Sequence, residues 1–316
     1  NRIYGHSGSG SEVLTNASDH TIQGAGQLGV NRTGLDNQGL IVANQSNELT
    51  IDLSGGAGIT RSNTGILRAA GGQLTIQGTN LTNTGGVIDA VGSNVLITGS
   101  TITDGTLQSS SDGKIFVQAS SNLNNVNNTG QVELATAQTA LLTGTFTNTG
   151  NLQLASANHV TDLTLNGAVT LTGAGTLTMS NSANNRIYGH SGSGSEVLTN
   201  ASGHTIQGAG QLGLNRTGLN NQGLILANQS NALTIDTSAA GLINDGTLRA
   251  QNGTLTINDA LGGSGSLQVD PASVMNLANV ANTQGRLLMG AAGSMLNIGT
   301  QNLTINADYT NTAAGA

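Results

Sequence analysis

The sequence predicts an all-β fold, a parallel β-helix (solenoid) with about 20 residues and three short strands per coil. Three observations predict it. A large block of the chain occurs twice, a finer beat of turn residues runs inside that block, and apolar residues alternate at strand spacing.

The large repeat comes first, because self-similarity at a fixed period usually names the architecture. Residues 1–52 recur at 185–236 with 47 of 52 positions identical and a constant shift of 184. NRIYGHSGSGSEVLTNAS, HTIQGAGQLG and NRTGL therefore each appear twice. Beyond a three-residue loop deletion, residues 66–77 (ILRAAGGQLTIQ) match 247–258 (TLRAQNGTLTIN), so the internal repeat relates 1–77 to 185–258. Blocks this alike point to an array of units more than to an enzyme built around one site.

The finer beat is visible in residues 66–85 (ILRAAGGQLTIQGTNLTNTG) and 131–150 (QVELATAQTALLTGTFTNTG), each 20 long and each ending Asn-Thr-Gly. The same punctuation, Asn-x-Gly, falls at Asn37/Gly39, Asn63/Gly65, Asn83/Gly85, Asn128/Gly130, Asn148/Gly150, Asn221/Gly223 and Asn244/Gly246. Elsewhere a bare glycine keeps the beat, as at Gly105, Gly175, Gly265 and Gly285, and successive beats mostly lie about one coil length apart. These are the expected corners. Glycine there is expected to supply a positive φ; asparagine, which tolerates the same left-handed region, serves either as a turn former alone or as a rung that stacks on its counterpart in the next coil as a ladder.

Between corners lie short apolar runs with period two, the pattern of half-buried strands. In residues 73–77 (QLTIQ), Leu74 and Ile76 are expected to point inward and Thr75 outward. No long helical stripe occurs, because Gly or Asn interrupts every window. Only 8% of the 316 residues are charged, against about a quarter in ordinary domains, yet the persistent Leu, Ile, Val and Thr argue against disorder. No Pro-rich, charged or Gly/Ser-only linker divides the chain, so residues 1–316 read as a single continuous solenoid. About 15 coils would span on the order of 70 Å, and the 184-residue period would correspond to about nine coils.

Net charge is −7, with a single lysine (Lys114) and eight scattered arginines. A nucleic-acid surface would want a basic stripe with stacking aromatics, and the chain has two Phe, three Tyr and no Trp. With no cysteine there are no disulfides and no thiolate metal sites, as suits long exported bacterial proteins. No apolar run is long enough to span a membrane as a helix. The chain opens partway through a unit, without an initiating Met or a signal peptide, and is expected to be a segment of a longer polypeptide. Its ends are expected to expose strand edges, to be met by flanking β-helix or by another subunit.

The phrases TNASGHTIQGAGQLG, NNQGLILANQSNALTID and GTLRAQNGTLTI resemble the β-strand repeats of large bacterial surface and secreted proteins. These are filamentous-haemagglutinin-like exoproteins and autotransporter passengers, and the resemblance covers nearly the whole chain. It implies a right-handed β-helix, export across the outer membrane, and roles in adhesion, aggregation or matrix. It identifies no catalytic residues.

Several residues invite a chemical reading. Gly24, Gly26 and Gly29, and again Gly208, Gly210 and Gly213, fit the dinucleotide fingerprint, but strand and turn follow where a helix is required, so a tight corner is expected. His6, His20, His159, His190 and His204 have no accompanying acidic cluster and are expected on the surface or in turns. The duplicated NRIYGH (1–6 and 185–190) is expected to pack locally, with a surface knob or inter-rod contact as the other possibility. Glycoside cleavage needs two carboxyls about 5 to 10 Å apart. Asp52 and Asp236 are lone acids of their strands, and Asp89, Asp104 and Asp112 come nearest to a cluster. A flat threonine ladder that orders ice would start from Thr170, Thr172, Thr176 and Thr178, but that spacing does not continue.

The expected function is therefore structural: a rod, stalk or filament segment of an extracellular, cell-surface bacterial protein, without enzymatic activity, cofactor or metal. Its expected partners are copies of itself or flanking β-helix joined end to end, and a host-cell or biofilm surface, but not nucleic acid. The alternatives are a polysaccharide-active or polysaccharide-binding β-helix and, behind it, ice binding.

Overall fold

A computed structural model describes residues 1–7, 10–278 and 281–311. These residues form strands and turns with no helix, stacked as a parallel β-solenoid of about 15 turns with roughly 21-residue spacing. The chain divides into two compact units, Asn1–Leu141 with Thr149–Leu152, and Leu142–Asn148 with Gln153–Ala316.

In the first unit each strand pairs in parallel with its counterpart one coil away. Leu74–Gln77 lies between Leu49–Ile51 and Val95–Thr98, with Ile76 in register with both Ile51 and Ile97. Because the registers keep inward residues opposite inward residues, the core is a set of columns. Leu28, Ile51, Ile76, Ile97 and Val117 form one, and Ile41, Leu67, Ile88 and Leu107 another. All nine are at most 1% exposed. The second unit repeats the device with Ile187, Leu212, Ile235, Ile257 and Leu277, beside Ile206, Ile225, Leu248, Leu267 and Leu287. Each buried Leu or Ile stabilises by about 1.5–3 kcal/mol, so columns of this length dominate the favourable side of folding.

The alternation within a strand decides which residues enter a column. Leu74 and Ile76 are fully buried, as their period-two spacing predicts. Thr75 differs from expectation, since it too is buried. It stacks between Thr50 and Leu96 of the adjoining coils, and the Gln73 amide lies 3.4 Å from its hydroxyl. An outward side chain is thus covered by its own ladder neighbours.

Leu74 stacks between Leu49 and Val95, and Leu255 between Leu233 and Met275; replacing either by Asp would bury a carboxylate without a partner, and each is expected to abolish cooperative melting of its own unit. The milder Leu255→Ala is expected to cost about 2–5 kcal/mol, read as a lower denaturant midpoint.

Candidate functional site: a buried line of amides

The asparagines of the corners do not face water. In the first unit Asn37, Asn63 and Asn83 are completely buried, and Asn16 nearly so. Their amides form one line: Asn16 Nδ2 donates to Asn37 Oδ1 (2.7 Å), Asn37 to Asn63 (2.6 Å) and Asn63 to Asn83 (2.6 Å). The second proton of each amide has a carbonyl, such as that of Gly39 for Asn37 and that of Gly65 for Asn63. The backbone reinforces the line. The carbonyl of Asn16 accepts from the amides of Gln38 and Gly39, and that of Asn37 from Thr64 and Gly65. Asn128 is completely buried as well, with Oδ1 accepting from Gly130 N and Nδ2 donating to the Asn151 carbonyl.

The glycines at these corners are required for a different reason from the expected one. Of the seven, only Gly85 has a positive φ (77°). At Gly39, Gly65, Gly130, Gly150, Gly223 and Gly246 the conformation suits any residue, but the neighbouring coil comes too close. A Cβ on Gly65 would overlap the Gly39 carbonyl oxygen, one on Gly150 that of Gly130, and one on Gly246 that of Gly223. The corner chains lie backbone against backbone, which is how one carbonyl reaches two amides of the next coil. Left-handed glycines occur instead in the GAGQLG segments. There Gly26 and Gly210 have φ of 129° and 138°, each opening a short strand and not a helix.

A longer line runs through the second unit. Asn148 Nδ2 meets His204 Nε2 (3.2 Å), and His204 Nδ1 meets Asn200 Oδ1 (2.8 Å). Asn200 then donates to Asn221, Asn221 to Asn244, and Asn244 to Gln284 Oε1, each at 2.7 Å. All six side chains are fully buried. The direction of the donors makes His204 neutral, with its proton on Nδ1 and Nε2 left to accept. Burial pulls its pKa down from the usual range to about 4. Asn148, Asn221 and Asn244 carry the Asn-x-Gly signature, whereas Asn16, Asn200, His204 and Gln284 do not. Asn200-Ala-Ser-Gly-His204 inserts an extra turn at the corner, and its imidazole occupies a rung between two amides. His204 therefore lies in the interior, contrary to the surface expectation, whereas His6, His20, His159 and His190 are exposed.

Outside the coils, the charges also join neighbours. Arg68 pairs with Asp89 (2.8 Å), Lys114 with Glu133 (2.8 Å) and Arg186 with Asp162 (2.6 Å), across 21, 19 and 24 residues of chain. The second copy of NRIYGH (185–190) packs against its neighbours, whereas residues 1–4 and 6 of the first copy are exposed. Asp162 holds Arg186 through two bonds and accepts a third from the Tyr188 hydroxyl (3.0 Å), while the Arg216 guanidinium sits 5.4 Å from the Tyr188 ring centre. The hydrogen bond to Asp162 holds the Arg186 pKa above its ordinary value. Glu196 is buried; desolvation raises its pKa, but hydrogen bonds from the Ser191 hydroxyl and amide outweigh that and leave it lowered.

The candidate acids do not converge on one place. Asp89 is bound to Arg68, and Asp104 and Asp112 flank opposite ends of the strand Thr106–Ser110, Asp104 accepting from the Thr84 hydroxyl. Asp52 and Asp236 both have raised pKa values through burial, and Asp236 also feels the charge of Asp259, a proximity the strand pattern did not reveal. Among the described residues no group of three or more His, Cys, Asp or Glu could hold a metal ion. Toward the C-terminal coils the threonine rows do not continue: Thr170 is followed in register by Thr199 and then Asn220, and Thr176 by Thr205 and then Leu224. One open groove of about 380 Å³ follows the corner glycines of the second unit, past Gly203, Gly223 and Gly246, with Thr205, Arg249 and Gln268 on its walls. No protein-family model, curated protein or solved structure matches the chain.

Asn221→Ala leaves the Asn200 donor and the Asn244 acceptor unanswered in the interior. It is expected to cost about 2–5 kcal/mol, well above the effect of truncating an exposed asparagine such as Asn80. The imidazole adds a pH dependence. Between pH 6.5 and about 4 the unfolded chain binds a proton at His204 that the folded chain refuses, so stability falls as pH drops through that window and levels off below it. The full effect is on the order of 3 kcal/mol. Comparing unfolding midpoints at pH 7 and pH 4.5 checks this, and His204→Gln is expected to lose that part of the difference.

Proposed function

We propose that the chain is a structural segment of a bacterial extracellular, adhesin-like protein, a spacer, stalk or filament body that provides length, stiffness and surface presentation. The observation that carries this reading is the buried line from Asn148 through His204 to Gln284. Amides and an imidazole, the groups most able to recognise or transform a ligand, are here withdrawn from solvent and committed to joining coil to coil. The outer ion pairs follow the same rule. A stack joined in this way can be lengthened by whole coils, and the 184-residue repeat is what such lengthening leaves in a sequence. The resemblance to filamentous-haemagglutinin-like exoproteins and autotransporter passengers supports the extracellular setting, with flanking β-helix, further copies, and a host-cell or biofilm surface as partners. On this reading the segment is not an enzyme.

A second reading, polysaccharide binding, is favoured by the groove past Gly203, Gly223 and Gly246, which offers Thr205, Arg249 and Gln268 to an extended polar chain.

Inserting a further copy of residues 1–184 between Asn184 and Asn185 distinguishes the two readings, because the new junctions reproduce sequences already joined in the chain. A spacer is expected to tolerate the insertion and, in electron micrographs of the producing cell, to carry its outer end roughly 40 Å further out, about nine coils at about 4.8 Å. An unchanged reach would sink the spacer reading. Saturable binding to one member of a glycan panel, lost in Arg249→Ala, would install the second reading in its place.

A further inference from the structure

Residues 213–216 form a turn that the chain builds twice. Arg216 N donates to the Gly213 carbonyl (2.9 Å), and Asn215 N to the Asp236 carbonyl of the next coil (2.8 Å). Both central residues have positive φ, 52° at Leu214 and 54° at Asn215. Asparagine accepts that conformation, but leucine holds it only where its surroundings impose it. The first copy repeats the turn with a β-branched residue at the same place. Val30 and Asn31 have φ of 50° and 53°, and Arg32 N donates to the Gly29 carbonyl (2.8 Å).

The strained turn places one cation. The Arg216 guanidinium lies over Tyr188, 5.4 Å from the ring centre, and Arg32 lies over Tyr4 at 5.7 Å. Among the described residues of the second unit, Arg186, Arg249 and Arg286 each have a carboxylate partner, whereas Arg216 is exposed and pairs with none. Acids on the adjoining strands are already engaged. Asp162 is bound by Arg186 and Tyr188, and the buried Glu196 by Ser191.

Beside the turn runs a row of hydroxyls. The loop 191–195 passes it at Gly194, where a Cβ would stand 3.9 Å from the Asn215 carbonyl. Ser191, Ser193 and Ser195 are exposed, and their hydroxyl oxygens follow one another at 2.7 Å. The first two oxygens also accept the backbone amides of Ser193 and Ser195. Three hydroxyls carry three protons and the two contacts use two, so one proton is left for a partner.

We propose that Arg216, Tyr188 and the hydroxyl loop 191–195 form a subsite for the carboxylate of an acidic polysaccharide, repeated in the first copy around Arg32 and Tyr4. A guanidinium over a ring keeps its planar N–H fork free to meet a two-oxygen carboxylate from the side, and the spare hydroxyl proton adds a donor. Two such subsites in one chain favour a ligand that repeats its charge, because the second contact becomes intramolecular. The net charge of −7 opposes this at long range, but at physiological salt screening over about 8 Å leaves the local cation to decide. The subsite shares no lining residue with the groove past Gly203, Gly223 and Gly246 and is independent of the spacer reading.

The test is titration of the full chain with polygalacturonate in physiological salt, read by calorimetry and by tyrosine emission, which no tryptophan obscures. Saturable binding with altered emission is expected, and methyl esterification of the polymer is expected to abolish it. Arg32→Gln with Arg216→Gln is expected to weaken binding at least about tenfold, the scale of a lost charged hydrogen bond. Arg249→Gln is expected to bind as the native chain does, and a loss there would move the ligand to the groove and overturn the proposal. So would no binding, undiminished binding by the double Gln variant, or a preference for dextran sulfate. Full retention by Arg32→Lys with Arg216→Lys would reduce the effect to bulk charge and likewise overturn it. An unchanged melting midpoint identifies variants that fold. If the double Gln variant does not, the native titration still decides, since binding without a change in tyrosine emission rules out the subsite.

Discussion

In a parallel stack no coil can satisfy its own backbone. The N–H and C=O groups of each strand point along the stacking direction, and the coil before and the coil after must answer them. Everything distinctive about this chain follows from extending that rule to side chains. Asn37 accepts from Asn16, donates to Asn63 and spends its remaining proton on the Gly39 carbonyl. An amide has two donors and one acceptor oxygen, so it can be buried at no loss only where neighbours of the same kind recur at a fixed spacing. The repeated corner provides that spacing.

The same rule accounts for the unusual composition. Isolated buried charges are costly, so the interior uses neutral amides and one neutral imidazole in place of ions. Outward-facing charges pair from coil to coil, as Arg68 does with the buried Asp89 and Arg249 with Asp270. These pairs also hold register, since a slipped coil would bring the wrong groups together. Register also explains the corner glycines. Where Gly65 passes the Gly39 carbonyl there is no room for a methyl group, and the close approach lets one Asn carbonyl serve two amides.

Much of the fold was legible in the sequence. Period-two runs such as residues 73–77 marked the strands, and Asn-x-Gly marked corners at Asn37, Asn63, Asn221 and Asn244, all of which lie in the buried lines. The rungs at Asn16, Asn200, His204 and Gln284 were not legible. Asn200 precedes Ala-Ser-Gly, and His204 reaches its rung through a widened turn, so neither carries the tripeptide signal. His20 and His204 sit in nearly identical sequence, yet one is exposed and the other buried. No local pattern could separate them, because His204 is covered by a coil distant in sequence, whose Asn148 lies 56 residues away.

The sequence by itself determined the class of fold, the length of a coil, the inward residues and the places where the chain turns, because each depends on spacing along the chain and on the conformational limits of single residues. The tertiary structure decided which amides meet, why the corner must be glycine, which histidine loses its proton affinity, and which carboxylates approach one another. Those properties belong to atoms a full coil apart in the chain, brought within hydrogen-bonding distance. They are set by register between coils, which no single coil encodes.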